Sequence, residues 1–254
     1  MSGGWLIVAG LGPGADGAVT PEVTEALAAA TDILGYGPYV GRVPPREGLI
    51  LHPSDNREEL DRATLALGLA QAGRRVVIVS SGDPGVFAMA AAVFEALEAG
   101  PADWRSLDIR VLPGITAMLA ASAAAGAPLG HDFCAINLSD NLKPWALIEK
   151  RVRLATEADF VMAFYNPRSQ ARPDGLDRAF DVIRAQCEGQ CAGQRLVLFA
   201  RAVATPDEGL RIEPLDRARG DMADMRTLVI VGSQSTRIVE RPGRPFLYTP
   251  RFAT

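Results

Sequence analysis

The chain is poor in several things that whole functional classes require. Its 254 residues include three cysteines and two histidines, which makes no disulfide framework and no recognisable catalytic triad or metal-ligand spacing. An odd number of thiols in a chain of this length predicts a reducing compartment. Lysine plus arginine number 26 against 30 aspartates and glutamates, a net charge of -4, and no basic run forms a tail. Nucleic acid is therefore not an expected partner. No apolar stretch approaches the ~18 residues of a membrane span. The short run Trp5 to Ala9 has no positive residues before it and ends at a glycine, so it reads as a strand rather than a signal peptide. These absences predict a cytoplasmic protein with no membrane or nucleic-acid partner.

What is there is a core-forming composition, 48% hydrophobic and 22% charged, which excludes a disordered or collagenous chain. The length suits one large domain or two of about 120 residues, and two are expected. Short β-branched runs alternate with Ala/Leu-rich stretches at helical spacing, the pattern of an α/β protein. In the first half, strands are predicted at Trp5 to Ala9, Ile33 to Tyr36, Val76 to Ser80 and Asp108 to Leu112, about five in all. Thr20 with Pro21 opens one helix, Asn56 with Glu59 resembles a capping box for a second, and a third is expected from about Val86 to Ala99. The second half has strands near Cys134 to Leu138, Phe160 to Phe164, Leu196 to Ala200, Leu210 to Glu213 and Thr227 to Val231. Its last connections contain Pro206 and Pro214 and predict antiparallel hairpins rather than crossover helices. The Ala-rich helix Ile115 to Ala125 runs from one half into the other, and the expected division is 1–118 and 119–254.

Three loops stand where ligands sit in an α/β sheet, after strands and before helices. The first, Gly10-Leu11-Gly12-Pro13-Gly14, does not fit the dinucleotide pattern GxGxxG, because Pro13 lacks an N–H and the next helix starts only at Thr20. In the second, Ser80-Ser81-Gly82-Asp83-Pro84-Gly85, Asp83 either caps a helix at Val86 or meets a ligand. The third, Pro113-Gly114-Ile115-Thr116-Ala117, offers a hydroxyl and free backbone donors at a helix start. Cys187 and Cys191 are four apart in a stretch that reads as a helix, but no third ligand is near, so both are expected to be ordinary reduced thiols and no metal is expected.

Taken together, a strand followed by GLGPG, then SGDPGVF, then PGITA resembles the tetrapyrrole methyltransferase family over almost the whole chain. The resemblance implies two α/β domains, the N-terminal with a mainly parallel sheet and the C-terminal with a mixed sheet, a cleft between them for S-adenosylmethionine, and a homodimer. S-adenosylhomocysteine would be the product. Within the family, Gly126 to Phe133, Asn137-Leu138-Ser139-Asp140 with Lys143-Pro144-Trp145, Phe164-Tyr165-Asn166-Pro167-Arg168-Ser169 and Thr249-Pro250-Arg251 are most similar to the branch of cobalamin biosynthesis that methylates precorrin-3B at C-17 and contracts the ring to precorrin-4. Methylation of another precorrin carbon and a non-catalytic tetrapyrrole carrier remain as alternatives. Hand-over of substrate from neighbouring pathway enzymes is a further possibility. Two departures stand out: Arg201-Ala202-Val203 where relatives tend to have an Arg-Asn pair, and Gly232-Ser233-Gln234-Ser235 where a Gly-Asn-Ser type turn is common.

Carried over by motif, Pro13, Ser81, Gly82, Asp83, Val86, Thr116, Ala117 and Asn166 would line the donor pocket, mostly through backbone groups. The donor is already a strong electrophile, so no nucleophilic side chain is required and the main task is alignment. Ring contraction calls for acid/base help, and His131, Asp132 and Asp140 are its candidates, although His131-Asp132 also suits a simple turn. An acidic chain that holds a macrocycle bearing many carboxylates must present local positive charge. Lys143, Arg168, Arg172 and Arg201 are the candidates, Arg168 foremost because Tyr165-Asn166-Pro167 holds it in a rigid turn. Arg151 and Arg153 read as a solvated helix face. Trp145 and Phe133 would either stack on the macrocycle or belong to the core.

Overall fold

The computed structural model describes residues 3–55, 58–187 and 194–252, and the chain falls into two compact units, Met1–Thr116 and Ala117–Thr254. The first unit runs β1 (Trp5–Gly10), α1 (Pro21–Ala29), β2 (Asp32–Tyr36), α2 (Gly37–Val40), β3 (Ile50–Ser54), α3 (Glu59–Gln71), β4 (Arg75–Ser80), α4 (Met89–Ala99) and β5 (Asp108–Leu112). Its strands lie in the order β3-β2-β4-β1-β5 and every pairing is parallel. Successive side chains of β1 alternate between two cores, as the strand period requires. Leu6 and Val8 join residues of α3 and α4, while Ile7 and Ala9 join residues of α1. The two groups of helices therefore cover opposite faces of the sheet.

Local chemistry accounts for most of these boundaries. The Thr20 hydroxyl accepts from Val23 N at 3.3 Å, with Pro21 next in the chain, so α1 starts where expected. Asn56, the expected partner of Glu59 in a capping box, lies outside the described residues. α4 begins three residues later than the pattern suggested, because Phe87 has φ +53°, which an α-helix cannot contain. β3 carries no clear strand signal, since Pro53 interrupts it. It is an edge strand, where a missing N–H is tolerated.

A buried charge fixes one end of this sheet. Asp32, 1% exposed, opens β2 and accepts from Thr31 Oγ1 and from Arg74 Nε, both at 2.7 Å, with His52 Nε2 at 2.9 Å. Burial by itself raises a carboxyl pKa, but the hydrogen bonds from Arg74, His52 and Thr31 outweigh it and hold Asp32 below the usual range.

The second unit runs α5 (Ala117–Ala125), β6 (Gly126–Ala127), β7 (Phe133–Asn137), α6 (Trp145–Glu157), β8 (Val161–Tyr165), α7 (Gly175–Gln186), β9 (Leu196–Arg201), β10 (Gly209–Pro214), β11 (Thr227–Val231), β12 (Arg237–Val239) and β13 (Phe246–Tyr248). Five strands in the order β10-β9-β11-β8-β7 form a mixed sheet. β7 and β8 are parallel, β11 runs antiparallel to β8 and β9, and β9 and β10 form one expected hairpin; the second, across Pro214, does not form, because β11 inserts between β9 and β8 rather than beside β10. Helices α6 and α7 pack on one face, and α5 with Leu247 of β13 on the other. A small sheet, β12-β13-β6, completes the unit.

Arg195, fully buried, ties three segments together: Nη1 donates to Gly232 O at 2.8 Å, and Nη2 to Asp159 Oδ1 at 2.6 Å and Thr156 O at 3.2 Å. Burial lowers its pKa against the opposing attraction of Asp159. The cysteines depart from expectation at one position. Cys187 is disulfide-bonded, whereas a reduced thiol was expected; α7 ends at Gln186, so Cys187 stands at the helix end rather than within it. Cys191 lies outside the described residues. Cys134 is free, and burial pushes its thiol up to about 11. No described helix is long and apolar enough to cross a membrane.

Two stability predictions follow from these contacts. Asp32→Asn should cost about 2 kcal/mol at neutral pH. Because the folded carboxyl titrates below its unfolded value of about 4, its contribution is present above that value and lost as the pH falls through the folded one. The melting temperatures of wild type and variant should therefore converge in acid, and a gap that stays constant from neutral pH to about pH 2.5 would contradict the assignment. Ala202, with φ +49°, sits in the left-handed region that an alanine occupies at a cost of about 1–2 kcal/mol. Ala202→Gly should raise stability by up to about 1 kcal/mol in a denaturant titration; a loss would mean that the methyl group, which is buried, outweighs the backbone term.

Candidate functional site

The parallel order of the first sheet brings three glycine loops to one edge. After β1 the chain crosses to β2, and after β4 it crosses in the opposite direction to β5, with the connecting helices α1 and α4 on opposite faces. The carboxyl ends of neighbouring β1 and β4 thus form a switch point, where loops diverge and leave a crevice. The crevice is closed at its base by backbone pairing. Gly12 N donates to Gly82 O at 3.2 Å and Gly82 N to Gly12 O at 2.9 Å, both residues having positive φ, +66° and +64°. Gly114 comes so close that a Cβ on it would collide with Gly82 O, and one on Gly10 would lie 2.7 Å from Gly114 N.

Asp83 binds the second loop to the third. Its Oδ1 accepts from Gly85 N at 2.8 Å and its Oδ2 from Gly114 N at 3.0 Å. It does not act as a cap for α4, which starts only at Met89. Val86 N instead donates to Asp83 O at 3.2 Å within the loop. Ser81 and Gly82 immediately precede Asp83 in the same loop, Pro13 lies next to Gly12, and Thr116 is buried at the end of the unit.

Residues that the sequence did not single out support the loops from behind. Arg42 Nη2 donates to Leu11 O at 2.8 Å and Nη1 to Gly12 O at 3.4 Å. The Tyr39 hydroxyl is hydrogen-bonded to Ser81, and burial, the larger effect, raises its pKa. Tyr36 packs edge-on against Tyr39 with ring centroids 5.3 Å apart. Buried Arg62 donates to Ser54 Oγ at 2.8 Å and to Asp55 O at 2.6 Å. The dense Tyr36-Gly37-Pro38-Tyr39 segment was the available signal, but nothing in its spacing shows which loops it would touch.

In the second unit the parallel pair β7 and β8 sends two loops from one sheet edge. Asn166, just past β8, has φ +49°, a conformation asparagine tolerates better than most residues. Its Nδ2 donates to Asn137 Oδ1 at 3.1 Å. The Tyr165 hydroxyl accepts from Met118 N at 3.1 Å, next to Ala117 at the start of α5. Ser169 and Arg172 exchange backbone hydrogen bonds of 3.2 and 3.1 Å, closing a turn immediately after Arg168. Arg172 Nε lies 3.8 Å from Asp140 Oδ1. Lys143 donates to Ser139 O at 3.1 Å, and its pKa is lowered by burial first and then by the charges of Arg151 and Arg172.

Arg201 ends β9 at the same sheet edge, two strands from β8, where its Nε donates to Asp224 Oδ2 at 2.7 Å. His131 and Asp132 are elsewhere. They precede β7, so the length of that strand, ~15 Å, separates them from Asp140 and Asn166. His131 Nδ1 accepts from Asp132 N at 2.7 Å, which is the local-turn arrangement. The Gly232 to Ser235 turn follows the antiparallel β11 and lies at that other edge too, where Gly232 O and Asp159 serve Arg195 and Gln234. Trp145 packs on the core and carries the Arg178 guanidinium over its ring at 4.1 Å, whereas Phe133 is 42% exposed. No group of three or more His, Cys, Asp and Glu suited to a metal ion occurs among the described residues.

Comparison with known proteins agrees with this arrangement of glycine loops. The chain is 56% identical over 250 residues, 98% of its own length and 97% of the relative's, to a precorrin-3B C(17)-methyltransferase of Sinorhizobium sp. It is 43% identical to the cobalamin biosynthesis protein CobIJ of Mycobacterium tuberculosis, of which it spans 48%. The crystal structure of the methyltransferase CobJ superposes with a TM-score of 0.91 at 63% identity, covering 97% of this chain and all of that one. A uroporphyrin-III C-methyltransferase of Thermus thermophilus, complexed with S-adenosylhomocysteine, shares the fold with a TM-score of 0.64 at 18% identity, covering 91% of this chain and 98% of that one. Residues 6–218, which include all three glycine loops and the Asn166 turn, match the family model of the tetrapyrrole (corrin/porphyrin) methylases, and the chain belongs to that family.

Proposed function

We propose that this chain methylates precorrin-3B at C-17, with S-adenosylmethionine as methyl donor, and contracts the ring to give precorrin-4 in cobalamin biosynthesis. The observation that carries this reading is the 56% identity, over nearly the whole of both chains, to a relative named precorrin-3B C(17)-methyltransferase. Donor contacts fall to Pro13, Ser81, Gly82, Asp83, Val86 and Thr116 in the first unit and to Ala117 and Asn166 in the second. The interlocked glycine loops suit such a ligand, because they expose backbone rather than bulky side chains at the carboxyl ends of β1, β4 and β5.

When bound, the donor supplies a methyl group on a positively charged sulfur, and its transfer to a ring carbon leaves S-adenosylhomocysteine. The chain's own work is to orient the two reactants and to hold the macrocycle's carboxylates. Lys143, Arg168, Arg172 and Arg201 serve the second task. Of the three candidate acid/base groups, Asp140 is the one on the sheet edge shared with Asn166 and Arg168, and it takes the proton in the contraction step. His131 and Asp132 serve as the turn before β7. The working form is a cytoplasmic homodimer that receives its tetrapyrrole from a neighbouring pathway enzyme.

The test is incubation of the purified protein with S-adenosylmethionine and a panel of precorrins, followed by mass spectrometry and absorbance. A single methyl gained on precorrin-3B, with a changed chromophore, is expected. Methyl gain only on another precorrin would overturn the assigned substrate, and tetrapyrrole binding without turnover would favour a carrier. Arg168→Ala should weaken tetrapyrrole binding by about 1–3 kcal/mol, the scale of a charge-assisted hydrogen bond, and leave donor binding unchanged by calorimetry. Equal loss of both ligands would show that the turn is structural instead.

A further inference from the structure

The side-chain amides of Asn137 and Asn166 have a polarity that a backbone group dictates. Asn137 is the last residue of β7 and Asn166 follows the parallel β8, so both leave the sheet at one edge. Ser139 N–H can only donate, and it points to Asn137 Oδ1 at 2.9 Å. That atom is therefore the carbonyl oxygen. The Asn166 atom 3.1 Å from the same oxygen must then be the amide nitrogen. With one of its two N–H donors spent on Asn137, the Asn166 amide is held in a single flip that turns its Oδ1 outward, on an exposed residue, and that oxygen has no hydrogen-bond partner among the described residues.

We propose that Asn137 is a positioning residue that sets the hydrogen-bond polarity of the ligand site, fixing the flip of the Asn166 amide so that its Oδ1 accepts from the ligand. This rests on the reading that Asn166 meets the methyl donor. The ligand group that faces this oxygen must then be an N–H or O–H: the adenine amino group, the α-ammonium or a ribose hydroxyl. An aspartate at 166 would keep an acceptor but lose the N–H that Asn137 requires, setting two acceptor oxygens against each other. An aspartate at 137 would still accept from both Ser139 and Asn166. The two conservative changes are thus chemically similar but opposite in consequence, which a merely structural turn would not produce.

The probe is S-adenosylhomocysteine, titrated calorimetrically into the wild type and the variants Asn137→Leu, Asn137→Asp and Asn166→Asp, with melting temperatures recorded for each. Affinity should fall about tenfold in N137L, recover to within about threefold of wild type in N137D, and fall tenfold or more in N166D. Turnover at saturating donor should change much less than KM for S-adenosylmethionine. Analogues lacking one donor group each (the inosine, 2′-deoxy, 3′-deoxy and desamino forms) should include one that loses affinity in wild type but not further in N137L. Wild-type affinity in N137L, or equal loss in N137D and N137L, would overturn the proposal. Failure of the wild type to bind S-adenosylhomocysteine would instead overturn the donor reading. The side-chain amide protons of Asn166 test the positioning without ligand: by NMR the one bonded to Asn137 should be shifted downfield and protected from solvent exchange in wild type and N137D and lose both features in N137L, and equal spectra in all three would also overturn it.

Discussion

The pair of backbone hydrogen bonds between Gly12 and Gly82 governs the shape of the first unit's ligand edge. Parallel strands end with unpaired donors and acceptors, and the loops that follow must satisfy them or leave them to water. Here the loops after β1 and β4 satisfy each other. They can do so only because both residues take positive φ, which reverses the local chain direction and turns the parallel pair into an antiparallel bridge. The third loop then approaches without room for a Cβ at Gly114, and Asp83 spans the last gap with its carboxylate. The result is a rigid floor in which side chains act as fasteners and backbone forms the surface.

The second unit achieves a similar edge by different means. One parallel pair, β7 and β8, is set in an otherwise antiparallel sheet, and that single pairing sends the Asn137 and Asn166 loops out together. Antiparallel neighbours alternate in direction, so the unit's polar residues are divided between two edges. Asp140, Asn166, Arg168 and Arg201 belong to one; His131, Asp132 and the turn at Gly232 belong to the other. His131 and Asp132, fewer than ten positions from Asp140 in the chain, are thus a strand length from it in the fold.

That separation shows what could and could not be deduced from the chain alone. Strand and helix alternation, the parallel first sheet and the β9–β10 hairpin were legible, because each rests on local periodicity or on a turn residue. The glycine loops were legible as motifs. What the pattern missed depends on non-local facts. Arg42 and Tyr39 matter only because α2 folds back on loops from other strands. The delayed start of α4 depends on the left-handed Phe87, which no propensity would assign to a phenylalanine. His131 looked chemically apt from residue type, but sheet direction places it away from Asp140. Asn137 was visible as part of a motif, yet its role depends on a partner 29 positions away.

Net charge is a similarly poor guide to where an anionic ligand would be held. The chain carries -4 overall, and its arginines differ sharply in how committed they are. Arg195, Arg62 and Arg42 spend their donors on backbone carbonyls and polar side chains, and the first two are buried. Arg201 already faces Asp224 at 2.7 Å. Among the described residues the Arg172 side chain has a single ion pair, a long 3.8 Å contact to Asp140, and Arg168, next to the closed Ser169–Arg172 turn, has no ion pair or hydrogen bond. A carboxylate arriving at this edge would have to displace a partner from Arg201 but not from Arg168. Since removing a salt-bridge partner offsets much of what a new one contributes, the order of usefulness runs opposite to the number of contacts, and the least engaged cation is the one best prepared to bind.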